Sequence, residues 1–88
     1  MEEAMGQFQE AIRLKPNYAE AHNELGIALC RQGQVDEALR HFQEATRLKP
    51  GYAEAHYNLS LALARQGKAE EAAEHRRRAL ELDPSLNK

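Results

Sequence analysis

Between residues 19 and 32 the aromatic, apolar and small positions return with the period of a helix. His22, Leu25, Gly26 and Leu29 fall at i, i+3, i+4 and i+7 and share one face. In the next segment, 35–48, Ala38, Phe42 and Ala45 form a facing stripe with Leu39 and Leu48 at its edges. Gly26, Ala38 and Ala45 let two backbones approach, while Leu25, Leu29 and Phe42 fill the gaps. The pattern then starts again. Pro16, Pro50 and Pro84 are 34 residues apart, and the same offset relates Tyr18 to Tyr52, His22 to His56, Gly33 to Gly67, Ala38 to Ala72 and His41 to His75. The first 18 residues match 35–52. The chain therefore reads as a single domain made of a half unit, 1–18, that supplies only a second helix, followed by whole units 19–52 and 53–86.

Punctuation divides each unit into two helices. Gly33 and Gly67 stand where a helix C-terminus needs a left-handed residue, a conformation glycine adopts without a Cβ clash. The prolines stop the second helix of each unit. Asn17 precedes Glu20 by three residues, a capping-box spacing, and Gly51 with Glu54 repeats it with a weaker cap. Helices are predicted over about 3–14, 19–32, 35–48, 53–66 and 69–82, with no candidate strand. One helical hairpin buries little, so the units must stack to create a continuous core.

These residues resemble the tetratricopeptide repeat, a helix–turn–helix unit of 34 residues with the pattern W-x2-L-G-x2-Y…A-x3-F…P. The pattern falls on His22, Leu25, Gly26, Leu29, Ala38, Phe42, Ala45 and Pro50, then on His56, Leu59, Ser60, Leu63, Ala72, Arg76, Ala79 and Pro84. In the half unit Ala4, Phe8, Ala11 and Pro16 are present. The departures are histidine for the first aromatic in both units, Ser60 for glycine and Arg76 for the later aromatic. The resemblance implies an all-α fold, an α-solenoid of antiparallel helix pairs wound into a right-handed superhelix, here with five helices. It also implies a non-catalytic protein–protein interaction module whose concave face holds a partner's peptide or helix. Carried over position by position, the groove residues are Glu20, Asn23, Glu24, Ile27, Cys30 and Arg31 in one unit. In the next they are Glu54, Tyr57, Asn58, Leu61, Ala64 and Arg65.

Helical geometry agrees with that assignment, since the first six share a face distinct from that of Leu25 and Leu29. The groove would have a floor of Ile27, Cys30, Tyr57, Leu61 and Ala64, with acids at one end and Arg31 and Arg65 at the other. Such a strip suits a segment bearing aliphatic side chains. The alternative is that these are ordinary exposed positions on a stacking scaffold. A two-carboxylate clamp for a ligand's terminal carboxylates is not expected. Asn58 matches one of its places, but Asn23, Ile27, Tyr57 and Leu61 stand where the cations and the other asparagine would be needed. Asn58 also resembles one rung of the asparagine ladder of glycosyltransferase repeats.

Composition removes other classes. Fourteen acidic against 12 basic residues leave no basic field for nucleic acid or anionic lipid. No signal peptide and no apolar run near the roughly 20 residues of a membrane span are visible, and Cys30 has no disulfide partner, which together suggest a cytoplasmic location. The four histidines recur at repeat period, which places His22 and His56 on successive stacked helices as packing residues rather than around a metal. The run His75-Arg76-Arg77-Arg78 reads as a solvated face paired with Glu70, Glu71, Glu74 and Glu81. Cys30 reads as a semi-buried, inert thiol. No nucleophile–base constellation and no phosphate loop is present, so neither an enzyme nor a cofactor is expected.

The ends suggest a second role. The first helix lacks the partner that would cover Ala4, Phe8 and Ala11, and Gly6 weakens it by about 1 kcal/mol against alanine. Arg76, Arg77 and Arg78 give the last helix the polar character of a solenoid cap. The alternative to a groove-binding module is therefore a structural element that forms homo-oligomers through its terminal helices, or a piece of a longer array whose activity lies elsewhere.

Overall fold

The computed structural model describes the backbone of residues 2–14 and 18–87, and their side chains except at 2–5, 8 and 87. Five helices follow one another: α1 (Glu2–Leu14), α2 (Ala19–Arg31), α3 (Val35–Leu48), α4 (Ala53–Arg65) and α5 (Ala69–Leu82), with a 3-10 turn at Pro84–Asn87. Among the described residues there is no strand, and each helix end lies within about a residue of the expected place.

The C-terminal ends of α2 and α4 close alike. The amide of Gln34 donates to the carbonyl of Leu29 at 2.9 Å and that of Gly33 to Cys30 at 3.0 Å; Lys68 to Leu63 and Gly67 to Ala64 repeat both bonds. This double closure needs a left-handed residue between helices, and Gly33 and Gly67 supply it at φ +79° and +80°. No atom lies within 4 Å of a Cβ built at either glycine, so the constraint is the backbone and not space. Gly33→Ala or Gly67→Ala is expected to lower stability by about 1–2 kcal/mol in urea unfolding. A loss of only a few tenths would show that the turn relaxes to another closure.

The second capping box does not form as expected. Asn17 lies outside the described residues, and the N-cap of α4 is Tyr52, not Gly51, with no side-chain cap bond. Tyr18 occupies the same place before α2. The Tyr18 and Tyr52 carbonyls accept the amides of His22 and His56 at 3.3 and 3.1 Å, so each helix begins one residue later than a cap at 17 or 51 would allow. The ion pairs expected along α5 are also missing for Arg77 and Arg78, which form none among the described residues. Both are exposed, where attraction across water scarcely offsets the entropy of fixing two long side chains.

One continuous core runs through the stack. Leu25 and Leu29 of α2, Ala38, Leu39 and Phe42 of α3, Leu59, Ala62 and Leu63 of α4, and Ala72 of α5 form a single buried cluster. Ile12 of α1, Ile27, Cys30 and Val35 pack against it half-buried. Because Leu59 and Leu63 join the residues of the preceding hairpin, neither hairpin completes its core alone. The closest approach is at Gly26. A Cβ there would meet the Phe42 ring at 2.5–2.9 Å, so only a glycine fits beneath it. α2 and α4 contact each other directly, α3 packs on both, and α1 packs on α2.

Candidate functional site

Where α2 and α4 run side by side, their facing residues enclose a groove. Ile27, Cys30 and Arg31 enter from α2, and Asn58, Leu61 and Arg65 from α4; Phe42 and Ala62 close the bottom around about 160 Å³. That is smaller than the roughly 300–1,000 Å³ of small-molecule pockets, and on the scale of one inserted side chain. Leu61 is 50% exposed at its edge, a large apolar group left half uncovered beside a fully packed floor. Tyr57 and Ala64 do not join this cavity. They open, with Leu61, into a neighbouring depression shared with Ser60 and with Ala69, Ala72, Ala73 and Arg76.

Asn23 departs from its expected place on the groove surface. It is 0% exposed, held between two neighbours rather than offered to a partner. Its Nδ2 donates to Tyr52 Oη at 3.3 Å, and its Oδ1 accepts from Asn58 Nδ2 at 3.0 Å. A buried carboxamide must satisfy both ends, and these two bonds do so, the one from Asn58 crossing to the next unit. The consequence for the groove is positional: Asn23 fixes the carboxamide of Asn58, which lines the cavity. An asparagine at 23 and another at 58 were the visible signal. Their offset of 35, one more than the repeat, hid the contact.

The acidic rim is partly neutralised. Lys49 Nζ reaches Glu20 Oε2 at 3.1 Å and stands 5.0 Å above the Tyr52 ring. A hydrogen bond from its own backbone amide, then the Lys49 bond, holds the Glu20 carboxyl below its ordinary range. Glu24 and Glu54 are exposed and carry no ion pair among the described residues. Burial pushes the Tyr52 phenol up, with the Asn23 bond opposing it. Burial likewise raises the Cys30 thiol, against the charge of Arg65, which leaves the sulfur protonated at neutral pH and part of the apolar lining.

On the other side of each hairpin stands an arrangement absent from the sequence reading. His22 stacks on His41 of α3, and His56 on His75 of α5, with ring centroids 5.3 and 5.4 Å apart. The Nδ1 atoms face each other at 3.1 and 3.2 Å. In the second pair His56 Nε2 lies 2.9 Å from the Pro50 carbonyl. That oxygen can only accept, so Nε2 carries the proton, and His75 Nδ1–H donates to the bare His56 Nδ1. The 19-residue spacing from His22 to His41, repeated from His56 to His75, was the signal available.

The repeat period, the paired glycine closures and the shared core place the groove on a stack of helical hairpins. A family model described as "Tetratricopeptide repeat" matches residues 26–87, and one described as "TPR repeat" matches 1–33. The chain belongs to the tetratricopeptide repeat family. No curated protein matches it in sequence. Among solved structures it is similar to the "Crystal structure of MamA", at 29% identity and a TM-score of 0.84 over 94% of this chain and 48% of that one. It is also similar to "YrrB: a TPR protein with an unusual peptide-binding site", at 34% identity and a TM-score of 0.82 over 91% of this chain and 41% of that one. The repeat array thus spans less than half the length of either chain. Tetratricopeptide proteins are generally non-catalytic scaffolds, and this one shares their all-helical solenoid. No helix of the described residues is long and apolar enough to cross a membrane.

Proposed function

We propose that this tetratricopeptide array is a non-catalytic interaction module that binds a peptide or helix of a partner protein in the groove between α2 and α4. The observation that carries this reading is the half-exposed Leu61 beside a side-chain-sized cavity with an apolar bottom. Asn58 strengthens it. Held by Asn23, its carboxamide has an Oδ1 without a partner among the described residues, able to accept a peptide N–H. The peptide-binding site named for YrrB is a property of that protein, and it makes the same use of this fold a natural one to test. The unit boundaries 1–18, 19–52 and 53–86 fit this reading as one binding domain.

The second reading is self-association through the terminal helices. Ala4 and Phe8 have side chains outside the described residues, and Ala11 is half-buried. At the other end the depression between α4 and α5 repeats, 34 positions on, residues of α2 and α3 that line the seat of α4. One experiment separates the two. Peptides selected from a displayed random library are titrated against the protein and against its Ile27→Arg and Leu61→Arg variants, with sedimentation of all three. Groove binding predicts a loss of roughly tenfold or more in affinity, with unchanged particle size. Peptide affinity indifferent to both substitutions overturns the groove. A multimeric protein whose assembly they leave intact then points to the ends.

A further inference from the structure

Every one of the first four helices ends on an arginine in its last turn, yet the four are not alike. Arg13 and Arg47, on α1 and α3, are each held by a glutamate three residues earlier, Glu10 and Glu44. Arg31 and Arg65, on α2 and α4, have Ala28 and Ala62 at that spacing and Ile27 and Leu61 one residue before. Neither forms an ion pair among the described residues, and both are exposed. A basic last turn favours the helix dipole in all four. That general benefit does not explain why only the helices bordering the groove lack the neutralising acid. The acids of the same face do not reach them. Glu20 and Glu54 lie eleven residues earlier on their helices, about 16 Å at helical rise, and Glu24 seven residues before Arg31, about 10 Å, all beyond a Debye length of about 8 Å.

The groove therefore has an apolar cavity with two unneutralised guanidinium groups at one end. Arg31 and Arg65 both line the cavity, so one carboxylate lodged at that end could be met by either fork, or by both. Resting on the groove reading above, we infer that the partner segment carries a bulky aliphatic side chain that enters between Ile27, Cys30 and Leu61, with an aspartate or glutamate within a few residues of it that is received by Arg31 and Arg65. A neutral or basic segment would leave the two like charges that line one cavity without relief. An acidic one removes that repulsion as it binds.

The test is a selection from a displayed random peptide library with three forms of the whole chain: the wild type, Arg31→Glu/Arg65→Glu, and Ile27→Arg/Leu61→Arg. Both arginines are exposed, so the charge reversal is expected to leave the fold intact, with circular dichroism as the check. The wild type is expected to enrich Leu, Ile, Val or Met near Asp or Glu, and the reversed form to enrich Lys or Arg near the same aliphatic residues. A wild-type-selected peptide should lose roughly tenfold or more in affinity for Arg31→Gln/Arg65→Gln, and lose affinity with added salt. Enrichment that depends on Ile27 and Leu61 but shows no acidic preference overturns this inference and leaves the groove reading standing. Enrichment independent of both pairs overturns the two together.

Discussion

Phe42→Ala is expected to remove about 3–5 kcal/mol of stability, the cost of emptying a buried phenylalanine site. Small domains hold only about 5–15 kcal/mol in total, so the variant should approach marginal folding at ambient temperature. Phe42 is 2% exposed and belongs to the cluster that joins α2, α3 and α4. Its ring covers Gly26 so closely that no side chain could take the vacated contacts without rebuilding α2. Neighbouring groups are alanines and leucines already fixed by their own helices, which limits collapse into the cavity. The ring also floors the groove, so what remains folded should bind the selected peptides weakly. Urea unfolding at neutral pH measures the loss. A change below about 1 kcal/mol would show that the hairpins hold without this joint.

The same pair explains two irregularities of the second unit. Ser60 replaces the glycine and Arg76 replaces the phenylalanine at the corresponding positions. Read along the chain they are separate departures. In the fold they are one: without a ring at 76, position 60 has room for a side chain. Ser60 is buried at 3% exposure and its hydroxyl donates to the Tyr57 carbonyl at 2.6 Å, so its polarity is satisfied within α4.

Helix number, helix ends and the glycine turns were legible because each depends on local chemistry: period, left-handed φ and the missing amide of proline. The groove residues Ile27, Cys30, Arg31, Asn58, Leu61 and Arg65 follow from the resemblance to the repeat family, with helical geometry agreeing in the first unit, and the fold brings these six to one cavity. What escaped were relations between elements. The resemblance assigns Asn23 to the same surface and its helical angle agrees, but a carboxamide reaching sideways to Tyr52 and Asn58 becomes core. Helical angle fixes where Cβ points, not what approaches it from the next unit. The histidine pairs were hidden for the same reason, since His22 and His41 lie on different helices and only the packing angle makes them meet.

Those pairs make the protein lose stability in mild acid. Burial, and then the charge of the stacked partner, hold the His41 and His75 imidazoles below their ordinary value of 6.5. Glu37 and Glu44 oppose the shift at His41, as Glu71 and Glu74 do at His75, but burial and the facing ring outweigh them. Arg77, Arg78 and Glu81 line the remaining space around the second pair. The neutral pair shares one N–H between two Nδ1 atoms, whereas two charged rings would set N–H against N–H at 3.1–3.2 Å. In the unfolded chain the His41 and His75 rings take protons freely at about pH 6.5. The unfolded state therefore binds more protons just below that pH, and stability falls as pH drops from 6.5 through the lower folded values. The carboxylates of Glu10, Glu20 and Glu44 lie below 4.5 in the fold, held there by hydrogen bonds, and so add their own loss only in stronger acid. Thermal unfolding at about pH 7.5 and about pH 5.5 thus isolates the histidines. The wild type should melt lower at the acid end. His41→Phe/His75→Phe keeps a ring stacked on each partner but removes the groups with depressed affinity, and most of the difference should vanish. A double variant with the wild-type slope would place the acid sensitivity elsewhere in the stack.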